Sequence, residues 1–340
     1  MMLRLVDANL NRISEGLRLL EDVARFILND PRISAELKSL RHELAAKDPS
    51  LQKALLQARD SAGDVAAFAE EAAHRQDLQA LIIANAKRVE ESLRVVEELA
   101  KLPEVTLDPS RSKKARFDLY QIEKKMVAKL LRQDKRISGL YVIIDPEALG
   151  VRDEVEVCRQ AIQGGAKAIQ LRDKKRGRRE ILARARELKE VCAQFNVLFI
   201  VNDYLDIAIA SGADGLHLGQ GDLPTSTARQ LLPIDRILGC STTTVEEAVA
   251  AEADGADYMA VGSIYPTTSK AGAIVVGLER LRQIRAAISI PVVAIGGINE
   301  KNAADVVRAG ADSLAVISAV LGAKDVTEAA RRLAKMMEVK

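Results

Sequence analysis

From Leu140 onward the chain repeats one pattern eight times: a short apolar run, then glycine or polar residues, then an amphipathic stretch. The runs are LYVII (140 to 144), AIQL (168 to 171), VLFIV (197 to 201), GLHL (215 to 218), RILGC (236 to 240), DYMAV (257 to 261), PVVAI (291 to 295) and SLAVI (313 to 317). Such runs are too short for buried helices and lack the alternation of a half-solvated strand, so they read as parallel strands covered on both faces. Eight of them alternating with helices over about 200 residues predict a (β/α)8 TIM barrel, with a doubly wound sheet as the alternative. In a barrel the working groups sit where strands pass into the loops that follow, so the residues just after each run are the candidates.

A barrel of about 250 residues leaves part of a 340-residue chain unaccounted for. Residues up to about 132 are rich in Leu, Ala, Glu, Arg and Lys at helical spacing, which predicts an all-α domain at 1–132 ahead of an α/β barrel domain at 137–340. Between them LPEVTLDPS (102 to 110) carries two prolines, and the Lys/Arg-rich stretch 111 to 136 reads as a solvated connecting helix rather than an anion site. Apolar residues at 48% allow an ample core, which aromatics at 3% leave to aliphatic side chains. The net charge of +2 gives no global field for nucleic acid or membrane. Cys158, Cys192 and Cys240 fit neither a disulfide framework nor a zinc site, and MMLRLVDANLNR contains no long apolar run. A cytoplasmic protein acting on small molecules is expected. Its oligomeric state, a homo-oligomer included, is left open.

The strand ends carry the chemistry. Gln170, Arg172 and Lys174 alternate with Leu171 and Asp173, so period two turns an amide and two cations toward the barrel mouth, where they suit a diphosphate. A surface salt-bridge cluster with Asp173 and KKRGRRE is the structural alternative. Asp203 follows the third strand and Asp222 the fourth. Two carboxylates beside cations repel a phosphate unless Mg2+ lies between them, although either could simply cap the next helix. Ser241 follows strand five, and Thr243 or Thr244 is a helix cap. Gly296 and Gly297 after strand seven, with Ser318 after strand eight, suggest a second phosphate site made of backbone N–H groups. His217, between Leu216 and Leu218, reads as a hydrogen-bonded structural residue rather than a catalyst.

QLRDK, VNDYLDIA, DGLHLGQGD, GCS, ADYMAVGSIYPTTSK, PVVAIGGI and AVISA, in this order, closely resemble the thiamine-phosphate synthase family over residues 139 to about 335. The resemblance implies a TIM barrel that joins hydroxymethylpyrimidine diphosphate to a thiazole phosphate and releases pyrophosphate with Mg2+. It implies Gln170 and Ser241 on the pyrimidine, Arg172, Lys174, Asn202 and Lys270 on the diphosphate, and Asp203 and Asp222 on Mg2+. Thr267, Ser269, Gly297, Ile317 and Ser318 would hold the thiazole phosphate. The implied mechanism is dissociative, with Arg172, Lys174, Lys270 and Ser241 as its catalytic groups. Ser263, Tyr265, Ser269 and Thr243 depart from the family pattern, Thr243 replacing a common histidine. A thiazole tautomerase-like barrel and a non-catalytic phosphate-binding barrel are the alternatives.

In the helical half ANLNRISEGLRLLEDVAR (8 to 25) recurs as ANAKRVEESLRVVEELAK (84 to 101), a duplicated helix. Its apolar arc of Leu10, Ile13, Leu17, Leu19, Leu20 and Val23 is expected to carry Asn9, Arg12 and Gly16 in its middle, repeated as Asn85, Arg88 and Ser92. Either Glu15 and Glu91 neutralise the arginines and the helices only pack, or the arginines line a small-anion site with His42, Arg59, Asp60 and Asp64. The pattern ANxNRxSEGLRxxEDxARF resembles a helical family fused to such synthases, proposed to phosphorylate hydroxymethylpyrimidine phosphate. No P-loop or kinase glycine loop accompanies it.

Overall fold

The computed structural model describes residues 2–46, 48–60, 75–267, 272 and 274–338, and the chain forms two compact units, Met1–Gln133 and Asp134–Lys340. Eight strands, β1 (Gly139–Ile144), β2 (Ala166–Leu171), β3 (Leu198–Asn202), β4 (Gly215–Leu218), β5 (Ile237–Thr242), β6 (Tyr258–Val261), β7 (Val292–Ile295) and β8 (Ser313–Val316), pair in parallel in sequence order. The pairing of β1 with β8, Leu140 opposite Leu314, closes the barrel and excludes the doubly wound sheet. Each apolar run lies within two residues of the strand it predicted.

Alternation along the strands divides the core. Leu140, Val142, Ile144, Ile169 and Leu171 face outward under the helices, whereas Tyr141, Ile143, Ala168, Ile200, Tyr258, Val293 and Ala315 fill the barrel. At the opposite end from the mouth a single device recurs before alternate strands. The carboxylates of Asp214, Asp257 and Asp312 accept from the backbone N–H of Phe199, Leu238 and Val292 at 2.8–2.9 Å, and each also pairs with a cation, Lys189, Arg229 or Arg285. These charge-assisted bonds tie β3 to β4, β5 to β6 and β7 to β8.

The helical unit comprises α1 (Met2–Phe26), α2 (Pro31–Leu44), α3 (Pro49–Ala58), α4 (Leu78–Leu99) and α5 (Pro109–Leu131) among the described residues. The dipeptide Asp-Pro starts three of them: Asp30, Asp48 and Asp108 cap α2, α3 and α5, with proline in the first turn, where its missing N–H costs nothing. The repeated helices α1 and α4 pack on one another at Gly16. A Cβ there would lie 2.4 Å from Val89 Cγ2, so the small residue sets the approach of the helices. The stretch expected to be a solvated connector is instead part of this core: α5 buries Ala115, Leu119, Ile122 and Met126 in one cluster with α1, α2 and α4.

Arg12 and Arg88 are exposed, contrary to the expected placement inside the apolar arc. The buried face of α1 runs through Val6, Ile13, Leu17, Leu20 and Ala24, and at about 100° per residue Arg12 lies roughly 100° from its centre. Counting the half-buried Leu19 as core had shifted the arc toward the arginine. Asn9 is buried, and Asn85 is half-buried. Their amides each donate to a carbonyl one turn back, Leu5 and Leu81, at 2.8 Å, and so serve their own helices. Glu15 and Glu91 are exposed as well. Among the described residues, the buried carboxylates of this unit are Asp7, Glu21, Glu90 and Glu97. Glu21 pairs with Arg41, and its repeat Glu97 with Arg94 and Arg116. All three cysteines are buried free thiols, and no helix among the described residues is long and apolar enough to cross a membrane.

Candidate active site

A cavity of about 420 Å3 opens at the C-terminal ends of the strands. Gln170, Arg172, Lys174, Asn202, Asp203, Asp222, Ser241, Thr267, Gly296, Gly297, Ile317 and Ser318 all line it. Ser269 and Lys270 lie outside the described residues, as does Asp64 of the helical unit.

On one side the alternation after β2 behaves as period two requires. Arg172 reaches Asp145, and Lys174 lies 3.3 Å from Asp203. Asp173 points the other way, accepting from the backbone of Lys175 and Arg176 at 3.0 and 3.1 Å and pairing with the Arg176 side chain. The salt-bridge cluster with KKRGRRE therefore engages Asp173 and leaves Arg172 and Lys174 in the cavity. Asp145, buried at the end of β1, is a site residue that sequence reasoning missed; its only signal is the Asp-Pro pair that opens a short helix at Pro146–Leu149.

Asp203 and Asp222 face one another. Burial raises the Asp203 pKa, the neighbouring Asp222 carboxylate raises it further, and Lys174 offsets part of the effect. Neither residue caps a helix: Tyr204 and Pro224 occupy those positions, without side-chain caps. Asp222 instead accepts from Gly219 N–H at 2.7 Å and closes the GQGD turn. Asp203 holds φ +62, where its N–H donates to the His217 carbonyl at 2.8 Å. Two carboxylates in mutual conflict beside an ammonium have the charge and donor type that suit a hard divalent cation completed by phosphate oxygens. Among the described residues no cluster of three His, Cys, Asp or Glu forms a ready-made cage.

Across the cavity Gly296 and Gly297 adopt φ +99 and +65, and a Cβ would meet Ser263 Oγ at 2.0 Å and the Pro266 carbonyl at 2.5 Å respectively. Glycine is thus required twice over, for backbone conformation and for space. Ser318 begins a short helix, Ser318–Leu321, beside this turn. Thr244, not Thr243, caps the helix Val245–Ala253 in a capping box, and the Thr243 hydroxyl donates to Glu247.

Under the mouth Gln170 Nε2 donates to Tyr141 Oη at 2.9 Å, Tyr141 and Tyr258 hydroxyls lie 3.1 Å apart, and His217 bridges Tyr258 (3.1 Å) and Ser241 (3.0 Å). His217 is therefore a hydrogen-bonded wall residue. Tyr141 and Tyr258 were not singled out from sequence, since an aromatic within an apolar run looks like core.

In the helical unit Arg59 and Asp60 are engaged in ion pairs. Arg59 makes a bidentate pair with Asp7 at 2.8 and 3.0 Å, Asp60 pairs with Arg4 at 3.4 Å, and His42 is exposed on α2. A shallow groove of about 670 Å3 along α1 holds Arg18 and Arg41, both paired with Glu21.

The family model described as thiamine monophosphate synthase matches residues 140–320, and that of the ThiD2 family matches residues 4–125. The thiamine-phosphate synthase of Synechocystis is 41% identical over 97% of this chain and 94% of its own length. That of Moorella thermoacetica is 54% identical over 58% of this chain and 95% of its own length. The solved thiamine phosphate pyrophosphorylase of Pyrococcus furiosus is 44% identical, with a TM-score of 0.55 over 61% of this chain and 98% of that one. The chain belongs to the thiamine monophosphate synthase family.

Proposed function

We propose that the barrel acts as a thiamine-phosphate synthase of thiamine biosynthesis, joining hydroxymethylpyrimidine diphosphate to thiazole phosphate with release of pyrophosphate. The observation that carries this reading is the opposition, across one cavity, of a cation and carboxylate wall (Arg172, Lys174, Asp203, Asp222) to a glycine and serine cradle (Gly296, Gly297, Ser318). Two phosphorylated ligands held face to face need such a division. The barrel-only relative from Moorella supports assigning the reaction to residues 137–340.

In this reading Gln170 and Ser241 hold the pyrimidine, while Arg172, Lys174, Asn202 and Lys270 hold the diphosphate. Thr267, Ser269, Gly297, Ile317 and Ser318 hold the thiazole phosphate. Asp203 and Asp222 are the residues that would bind Mg2+, whose chemistry when bound is to neutralise the charge that collects on the departing diphosphate. Arg172, fixed by Asp145, presents its remaining N–H groups to the diphosphate in a set orientation. As the carbon–oxygen bond breaks, Lys174 and Lys270 oppose the growing negative charge, and the pyrimidine amino group stabilises the cation left behind. The cradle meanwhile keeps the thiazole nitrogen aimed at that carbon, so positioning and charge account for the reaction without a nucleophilic side chain.

For residues 1–132 we propose phosphorylation or binding of hydroxymethylpyrimidine phosphate, a reading supported by the ThiD2 match. Purified full-length protein, given both phosphorylated substrates with and without Mg2+, tests the barrel assignment by the appearance of thiamine phosphate. Folded protein that yields none sinks it. Hydroxymethylpyrimidine phosphate with ATP and Mg2+ tests the helical unit by release of ADP.

A further inference from the structure

Arg172 and Lys174 stand two residues apart just past β2, and each meets a carboxylate, but the two pairs differ in kind. A guanidinium carries five N–H groups in a fixed fork, so Arg172 keeps Asp145 and still has donors for a ligand. The ammonium of Lys174 is a single point of charge on a flexible stem. Among the described residues it pairs only with Asp203, its Nζ 3.3 Å from Oδ2, and the lysine side chain is 53% exposed where that of Asp203 is 13% exposed. The carboxylates, by contrast, are anchored. Asp203 is fixed by its backbone N–H on the His217 carbonyl at 2.8 Å, and the Asp222 carboxylate by the Gly219 N–H at 2.7 Å. Lys174 is thus the movable member of the group.

Charge decides what that movement does. Asp203 and Asp222 together carry two negative charges, which match one divalent cation. An ammonium on Asp203 cancels one of them and sets a positive charge beside any cation that approaches the pair. The ion alone is therefore poorly received. A diphosphate removes the conflict, because its oxygens accept the ammonium in charge-assisted hydrogen bonds and leave Asp203 to the metal.

We propose that Lys174 is an exchangeable counterion: it competes with a divalent cation for Asp203, and passes to a diphosphate oxygen when metal and diphosphate arrive together. The site thereby favours the metal–diphosphate complex over the free ion. The inference rests on the reading of Asp203 and Asp222 as the metal pair.

The test measures binding, not turnover, on the full-length protein. Mn2+ alone is titrated and its free ion followed by electron paramagnetic resonance, and pyrophosphate with excess Mg2+ is titrated by calorimetry. Lys174→Met should tighten Mn2+ by about tenfold and weaken magnesium pyrophosphate by a similar factor, a pair of opposite changes. Lys174→Gln repeats the readout should the methionine variant fold poorly. Lys175→Met, which removes a cation paired with Glu147 instead, should leave Mn2+ affinity within about twofold, since an exposed charge acts weakly at a distance. Asp222→Asn should weaken Mn2+, which identifies the ion that is read as the one at this pair. Unchanged Mn2+ affinity in both Lys174 variants overturns the inference and leaves the lysine a phosphate ligand only. Weakened Mn2+ overturns it too, by showing that the lysine aligns Asp203 for the metal, and an equal gain in Lys175→Met reduces the effect to the general field. Mn2+ that fails to bind the unsubstituted protein even with pyrophosphate present removes the metal reading itself.

Discussion

Glu90 on α4 is buried, and Glu123 on α5 faces it. Desolvation raises the Glu90 carboxyl first, and the charge and hydrogen bond of Glu123 add to it. Lys87 and Arg116 offset part of this, leaving a pKa pushed up from 4.5 to about 7. The folded chain therefore holds a proton that the unfolded chain releases near pH 4.5. Its stabilising contribution is complete below that pH and is lost as pH rises through 7. A displacement of that size corresponds to roughly 3 kcal/mol of the helical unit's folding free energy. Glu90→Gln retains the shape and a donor toward Glu123, so it should stabilise the unit at pH 8 by roughly 1–3 kcal/mol and leave it unchanged at pH 4. Urea denaturation at pH 4, 6 and 8, followed by circular dichroism, measures this, and hydrogen exchange of α4 and α5 amides assigns the transition to the right unit. Parallel pH profiles for variant and parent would refute the reasoning.

Asp203→Asn and Asp222→Asn should each lower synthase turnover at limiting Mg2+ by about tenfold or more, with partial recovery at excess Mg2+, because each removes a charge from the candidate metal pair. Asparagine tolerates the left-handed conformation at 203, so melting should change little, and a variant with normal Mg2+ dependence would contradict the assignment. Gly239→Ala should displace the Tyr258 ring and reduce affinity for the pyrimidine diphosphate, read as a rise in its KM with an intact barrel by circular dichroism. An unaltered KM would argue that the floor beneath Ser241 is looser than its packing implies.

Strand existence was legible because eight short apolar runs share one covering and each is followed by an amphipathic stretch, all local properties. The mouth was legible at Gln170, Arg172 and Lys174 because period two needs no knowledge of neighbours. Asp145 and Tyr258 acquire their meaning only when β1 meets β2 and β5 meets β6, and no spacing along the chain announces those pairings. The helical unit failed differently. On a duplicated amphipathic helix, counting one half-buried leucine as core widened the inferred apolar arc by about 40° to take in Arg12, which the structure leaves in solvent.

The charge count of the mouth also reverses an inference that sequence made natural. Arg172 and Lys174 read as two free cations for a diphosphate, yet the structure pairs them with Asp145 and Asp203, and Asp222 adds a further carboxylate. Those three carboxylates outnumber the two cations, so this wall by itself does not attract a polyanion. Favourable binding then needs positive charge from elsewhere, which in the proposed mechanism comes from Mg2+ at Asp203 and Asp222 and from Lys270. The consequence is measurable with pyrophosphate, the leaving group itself. Calorimetry should find its affinity at least about tenfold weaker without Mg2+ than with it. Asp222→Asn should strengthen metal-free binding, since it removes a repelling charge, while weakening binding in the presence of Mg2+. That crossing of effects distinguishes a metal-dependent anion site from a simple cationic one, where removing a carboxylate strengthens binding under both conditions. Tight pyrophosphate binding that ignores Mg2+ would show that the cations, not the carboxylates, set the field at the barrel mouth.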